Sequence, residues 1–233
     1  MSYYGRPPEG LVSKSSETDP VSDADREAER AVRDLLLAER PDDGLLAEEG
    51  SDSSGPSGRR WIVDPLDGTV NFLYGFPAWA VSVALEDPDG LAVGMVYSPV
   101  HAETFSALRG EGAWLNGRPL QVRGCRELER AMVATGFAYE ADRRAEQAEI
   151  IRRLLPRARD IRRAGAAALD LAWVAAGRLD AFYERGLKVW DHAAGDLLVR
   201  EAGGAVADLD GDPPGLIAAA TPELLGELAA VVR

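Results

Sequence analysis

Apolar positions recur at helical spacing across Asp23–Glu39, where Ala24, Ala28, Ala31, Val32, Leu35 and Leu36 form one stripe. That spacing predicts an amphipathic helix, closed by Pro41-Asp-Asp-Gly44. Leu45-Leu-Ala47 predicts a short strand running into Glu48-Glu49, and the Ser, Asp, Gly and Pro of residues 50–58 predict a flexible surface loop. Trp61-Ile-Val-Asp64 is a β-type run; Pro65 cannot donate a ladder hydrogen bond, so the strand is expected to stop there. Strands at 78–86 and 91–97 flank the turn Asp87-Pro-Asp-Gly90, and residues 104–109 and the flanks of Leu115-Asn-Gly-Arg118 predict a further strand and hairpin. A strand at 133–137, a charged helix at 142–155, an alanine-rich helix at 164–177 and a strand at 179–183 follow. Helices at 193–202 and 222–232 close the chain, and residues 1–22 read as an extended or mobile arm. The interleaving predicts one α/β (α+β) domain over residues 1–233, with two sub-lobes sharing a cleft.

Composition narrows the partners. Twenty-six basic against 39 acidic residues leave a net charge of −13, and no basic patch with interleaved aromatics is visible, which argues against nucleic acid. A phosphorylated ligand suits such a chain only if bound cations reverse the local field. Cys125 is the single cysteine, so no intrachain disulfide forms and a packing role and a cytoplasmic setting are expected. No run approaches the ~18 apolar residues of a membrane span, and the first residues lack the apolar stretch of a secretion signal.

Chemistry concentrates in Asp64-Pro-Leu-Asp-Gly-Thr-Val-Asn-Phe72. Asp64 and Asp67 flank a forced turn with the Leu66 carbonyl between them, an all-oxygen set that suits Mg²⁺ rather than zinc. Gly68 and Thr69 offer free N–H groups at an expected helix start, where phosphate is attracted. The same residues are also ordinary turn chemistry, so distant partners must decide. Three acidic positions at element ends are candidates. Glu48 follows a predicted strand, Asp191 precedes an apolar helix and Asp25 enters the first helix. Taken singly, they are equally a charged strand end, an N-cap and a first-turn charge.

Taken together, these segments make the chain resemble the inositol monophosphatase family, within the Mg²⁺-dependent, lithium-sensitive phosphatases. Asp64 to Phe72 is similar to the family's first signature; Trp190-Asp-His-Ala-Ala-Gly195 with Glu201-Ala-Gly-Gly204 is similar to its second. Ala47-Glu-Glu49, Asp19-Pro-Val-Ser-Asp-Ala-Asp25 and Gly110-Glu-Gly-Ala-Trp-Leu-Asn-Gly117 match further family segments in the right order, over roughly residues 9–232.

The resemblance implies a layered αβαβα sandwich of the sugar-phosphatase type, a homodimer, and hydrolysis of a small polyol phosphate by metal-activated water. By similarity Glu48, Asp64, Leu66 (through its carbonyl), Asp67 and Asp191 would hold two or three Mg²⁺ ions. Asp25 and Thr69, with Glu48, would act in catalysis, and Gly68 and Thr69 would bind phosphate. Asp67, Ala167, Glu184 and Asp191 would contact substrate, and Lys14 would lie in a metal-associated loop. Inositol 1-phosphate is the expected substrate, a leaning drawn from Asn71-Phe72 and Glu184. Histidinol phosphate, fructose 1,6-bisphosphate and other sugar phosphates are the alternatives, and a non-catalytic protein on the same fold is a third reading. Three departures stand out. The helix that family members carry ahead of the Lys14 position is expected to be missing, Ser22 stands where threonine is common, and His192 adjoins Asp191. His192 reads as an exposed helix residue and His101 as surface.

Overall fold

The computed structural model describes Tyr4, the backbone of Val12–Ser13 and Pro20–Val21, and residues 23–233. Lys14, Ser22 and most of the segment bearing on a missing first helix lie outside the described residues. Within the expected arm, β1 (Val12–Ser13) pairs antiparallel with β2 (Pro20–Val21). Helix α1 spans Asp23–Glu39, the limits its stripe predicts.

Strands β3 (Gly44–Ala47), β4 (Asp52–Ser53), β5 (Arg60–Asp67), β6 (Ala80–Asp87), β7 (Gly90–Ser98), β8 (Glu103–Leu108), β9 (Gly112–Leu115) and β10 (Arg118–Pro119) form the first sheet. Its eight strands lie in the order β10-β9-β8-β7-β6-β5-β3-β4, parallel only between β3 and β5. A short helix, α2 (Thr69–Leu73), leaves the end of β5. The second sheet holds β11 (Met132–Thr135), β12 (Asp160–Arg162), β13 (Ala181–Arg185), β14 (Ala205–Leu209) and β15 (Gly215–Ala219), in the order β12-β11-β13-β15-β14. Around the sheets run α3 (Ala141–Leu154), α4 (Ala167–Ala175), α5 (Val189–Glu201) and α6 (Pro222–Val232).

Side-chain alternation builds the layers. On β5, Ile62 joins the central core and its neighbour Val63 the outer one, the period of two a strand imposes. The central core packs Ile62, Ala84 and Phe105 of the first sheet and Phe182 and Ala218 of the second against Leu169, Leu171 and Leu198 of α4 and α5. Outside the first sheet, Val32 and Leu36 of α1 cover Leu45, Val63 and Val83. Beyond the second, Leu154 of α3 and Leu224 and Leu228 of α6 cover Val133, Tyr183 and Ile217. The order is helix, sheet, helix, sheet, helix: the αβαβα sandwich expected from the sequence.

In the middle layer α4 and α5 meet at Gly195, where a Cβ would stand 2.5 Å from the Cβ of Leu171. No other residue allows that approach.

Three expectations need correction. Strand β5 does not stop at Pro65 but continues to Asp67, with a register shift against β6 between Asp64 and Asp67. The irregularity places proline where no ladder bond is required and bends the strand end. β12, β14 and β15 were not expected; their alanine-, glycine- and charge-bearing sequences gain extended geometry from pairing rather than propensity. Helix α5 begins at Val189, so Asp191 is the third residue of its first turn and not its cap. Among the described residues, no helix is long and apolar enough to cross a membrane.

Candidate active site

The bent end of β5 opens into a cleft of ≈ 490 Å³ between the two sheets' edges. Glu48, Asp64, Leu66, Asp67, Gly68, Thr69, Ala167, Glu184 and Asp191 all line it. They arrive from separate elements. Glu48 comes from the turn after β3, and Asp64 to Asp67 from the β5 bulge. Gly68 and Thr69 belong to the α2 entry and Ala167 to the α4 start; Glu184 lies on β13 and Asp191 in the first turn of α5. Asp25, from the start of α1, does not line the cleft. It is fully buried behind it and accepts a hydrogen bond from Thr69 Oγ1 at 2.9 Å. The sequence-predicted residues are thus brought to one place, with Lys14 outside the described residues.

Local bonds explain how the wall is held. Buried Glu29 of α1 accepts hydrogen bonds from Glu49 N at 2.6 Å and from Ser51 N and Oγ at 3.2 and 2.6 Å, fixing the turn that carries Glu48. Asp64 Oδ1 accepts from Leu66 N at 2.9 Å, closing the bulge on itself. Asp67 accepts from Ala167 N and Leu169 N at 2.9 and 3.2 Å, so it terminates β5 and caps α4 at once. Asp191 Oδ2 accepts from Lys188 N at 2.6 Å, the return half of a capping box. Gly68 has φ 91°, a left-handed conformation that turns the chain from β5 into α2 and presents the Gly68 and Thr69 amides.

Crowding carboxylates in a cleft has an electrostatic consequence. Asp64 is raised well above the ordinary carboxylate value, first by burial and then by the charges of Glu48, Asp67 and Asp191. Asp67 is pushed up to about 8 by burial and by Asp191, against the pull of its two amide donors. Glu184, half-buried, is likewise pushed up to about 8, chiefly by burial and then by Asp191, with Arg163 opposing. Among the described residues no three acidic, histidine or cysteine side chains stand as a preassembled metal cage. Three of the carboxylates, Asp64, Asp67 and Asp191, instead accept hydrogen bonds from neighbouring N–H groups. The donor set is all oxygen, as a hard cation requires, and a divalent ion would relieve the repulsion. The residues present fit Mg²⁺.

Several cleft residues escaped the sequence reading. Gly136 and Phe137, read there as strand, follow the end of β11 and line the cleft. Arg143, Arg163 and Lys188 line it too, and Arg163 lies 5.9 Å over the ring of Phe137. Their only signal in the sequence is placement after strands or at helix starts. Asp170 is buried; burial and the charges of Asp67 and Glu184 raise its carboxyl, and its Oδ1 has no hydrogen-bond partner among the described residues. Asn71 is buried and donates to the Ala78 and Ala164 carbonyls at 2.5 and 2.8 Å, lacing α2 to the loop before α4. His192 is half-buried rather than exposed, with burial lowering its pKa.

The model of the inositol monophosphatase family matches residues 1–233. This chain belongs to that family. It is 46% identical over 202 residues to the inositol-1-monophosphatase of Rhizobium meliloti, covering 86% of this chain and 76% of that protein. It is 40% identical over 236 residues to a Salmonella typhimurium protein named Nus factor SuhB, covering 99% and 88%. Among solved structures, the extragenic suppressor protein suhB of Bartonella henselae superposes with a TM-score of 0.89 at 42% identity, covering 95% and 89%. The Thermotoga maritima IMPase does so at 0.89 with 35% identity, covering 100% and 90%.

Proposed function

We propose that this member of the inositol monophosphatase family hydrolyses inositol 1-phosphate to inositol and phosphate in a Mg²⁺-dependent reaction. One observation carries the reading. Glu48, Asp64, Asp67 and Asp191, the Thr69–Asp25 pair, and Glu184 arrive from six separate elements around one cleft. A fold serving only as an interaction surface has no need to gather that many carboxylates, Asp25, Asp64 and Asp67 of them buried, against their repulsion. The Nus factor name of the Salmonella relative does not alter that physical argument.

Each residue has a task that its position supports. Glu48, Asp64, Asp67, Asp191 and the Leu66 carbonyl would hold two or three Mg²⁺ ions. When bound, Mg²⁺ supplies Lewis-acid polarisation of the phosphoryl group and a lowered pKa for water. The amides of Gly68 and Thr69, which line the cleft, would bind the phosphate. Thr69 Oγ1, already hydrogen-bonded to Asp25, orients the attacking water and passes its proton to the buried Asp25 carboxylate. Glu184, across the cleft on β13, accepts hydrogen bonds from polyol hydroxyls. Ala167, whose N–H is spent on Asp67, offers only its methyl surface to the ring. Inhibition by Li⁺ and a homodimeric assembly belong to the same reading.

The test is phosphate release from inositol 1-phosphate, histidinol phosphate, fructose 1,6-bisphosphate and an aryl phosphate, with Mg²⁺ and with chelator. Turnover that requires Mg²⁺ and a highest kcat/KM for inositol 1-phosphate are expected. Absence of turnover on every substrate overturns the catalytic assignment. A different best substrate overturns only its specificity.

A further inference from the structure

Glu184 leaves β13 toward the cleft, and what it rests on is a backbone rather than another side chain. A Cβ built on Gly136 would fall 2.0 Å from Glu184 Oε2, 2.1 Å from Oε1 and 2.1 Å from the carboxyl carbon. The whole carboxylate therefore lies flat on the α-carbon of Gly136, in the volume any other residue would fill. β11 and β13 are parallel neighbours, with Thr135 opposite Tyr183, so Gly136 and Glu184 are the next residues along adjacent strands. The chain leaves strand geometry at Gly136, where β11 ends and the cleft wall begins. Phe137 follows at once, with the Arg163 guanidinium 5.9 Å over its ring, and the charge of Arg163 acts on the same carboxylate.

We infer that Gly136 is a specificity-determining positioning residue: its missing side chain is the seat that aims the Glu184 carboxylate at substrate hydroxyls. The inference rests on the reading of Glu184 as the polyol contact. No φ in the left-handed region calls for glycine at position 136, and no backbone atom stands among the nearest neighbours of its missing Cβ. The three atoms nearest to that missing Cβ all belong to the Glu184 carboxylate. The obstructing atoms are the far end of a flexible side chain, so an added methyl group acts by swinging the carboxylate aside rather than by breaking the fold. Glu184 would then lose its alignment with the substrate while the phosphate and cation positions on the first sheet stay in place.

Steady-state kinetics on Gly136→Ala, Glu184→Ala, the double variant, and Gly136→Ala/Glu184→Asp test this. Gly136→Ala is expected to raise KM for inositol 1-phosphate about tenfold or more, the loss expected of a hydrogen bond to a charged group, with a smaller change in kcat. Its preference for inositol 1-phosphate over an aryl phosphate should fall by a similar factor. Adding Gly136→Ala to Glu184→Ala should cost nothing further, because the methyl acts only through that carboxylate. Glu184→Asp shortens the side chain by about 1.5 Å and is expected to recover part of the loss in the Gly136→Ala background. Additive losses, or equal losses on both substrates, overturn the assignment.

Thermal melts of the same variants give a second readout that needs no substrate. Gly136→Ala should lower Tm when Glu184 is present and not when it is alanine. Should Gly136→Ala fail to fold, Gly136→Ala/Glu184→Asp is expected to fold, and its failure too would overturn the inference. Wild-type enzyme that ignores inositol 1-phosphate while the melts behave as described refutes the substrate reading and leaves the seat standing.

Discussion

At the scale of residues, the cleft works by giving single side chains two partners. Thr69 Oγ1 sits between Asp25 Oδ1 at 2.9 Å and the Leu66 carbonyl at 3.3 Å, and its one proton can go to only one of them at a time. A threonine bonded to a fully buried carboxylate is held in a single rotamer, which fixes the lone pair that receives a water. Asp25→Asn keeps the size and the hydrogen bond but removes the basic oxygen. Turnover is expected to fall by about 10² or more, with KM changed far less, since Asp25 lies behind the cleft wall. Near-normal turnover in that variant would rule out Asp25 as the base. Glu184→Ala should act in the opposite way. It is expected to raise KM for inositol 1-phosphate by a factor equivalent to about 1.5–3 kcal/mol and to change an aryl phosphate much less. Equal weakening of both substrates would make Glu184 structural.

Among the elements, α5 shows how packing delivers chemistry. Its first turn carries Asp191 into the cleft, and its position is set where Gly195 touches Leu171 of α4 and where Gly94 of β7 would place a Cβ 2.8 Å from the Ala194 carbonyl. Gly195→Ala removes that clearance and is expected to destabilise the fold by about 1–3 kcal/mol, as overpacking does. Activity is expected to fall as well, because a shift of α5 that relieves the overlap with Leu171 moves the turn that holds Asp191. Thermal melts and kcat measured together check it; a stable variant with lowered kcat would still support the coupling, and one unchanged in both would refute it.

How far such elements can be read from sequence depends on where their information lies. The limits of α1 and of the Pro222–Val232 helix were legible to the residue from their periodicity, although Ala31 and Leu35 of the predicted α1 stripe are exposed. The acidic cluster was legible as a set only through the family resemblance, because each member taken singly is also an ordinary strand end, cap or first-turn charge. Pro65 misled, since the rule that proline ends a ladder holds for regular pairing and the β5 end is irregular. β14 and β15 were invisible because Ala-Val-Ala and Ile-Ala-Ala patterns become strands only through pairing, β15 with β13 and β14 with β15. Gly136 was illegible for a similar reason: the side chain that demands glycine there is 48 positions away (184 − 136) and across a strand pair.

For the whole molecule, the acidic cleft should govern how stability depends on pH, and the sign is the reverse of the usual one. Asp67 and Glu184 rise from the ordinary carboxylate range to about 8 in the folded chain, and Asp64 rises as well. Between those limits the folded protein binds more protons than the unfolded chain, so stability decreases as pH increases. In chelator, Tm is therefore expected to fall as pH climbs from about 4.5 to 8, each kcal/mol lost lowering it by about 2–4 °C. Mg²⁺ should cancel that slope. A cation that binds only the ionised cluster replaces the protons as the neutralising charge, and stabilises the folded state by mass action. Melting curves at stepped pH, with chelator and with Mg²⁺, separate the two regimes. Substituting Asp67→Asn should flatten the chelator curve and also weaken the response to Mg²⁺. A Tm that increases with pH in chelator, or a slope that Mg²⁺ leaves untouched, would mean that the carboxylates of this cleft neither repel one another nor await a cation.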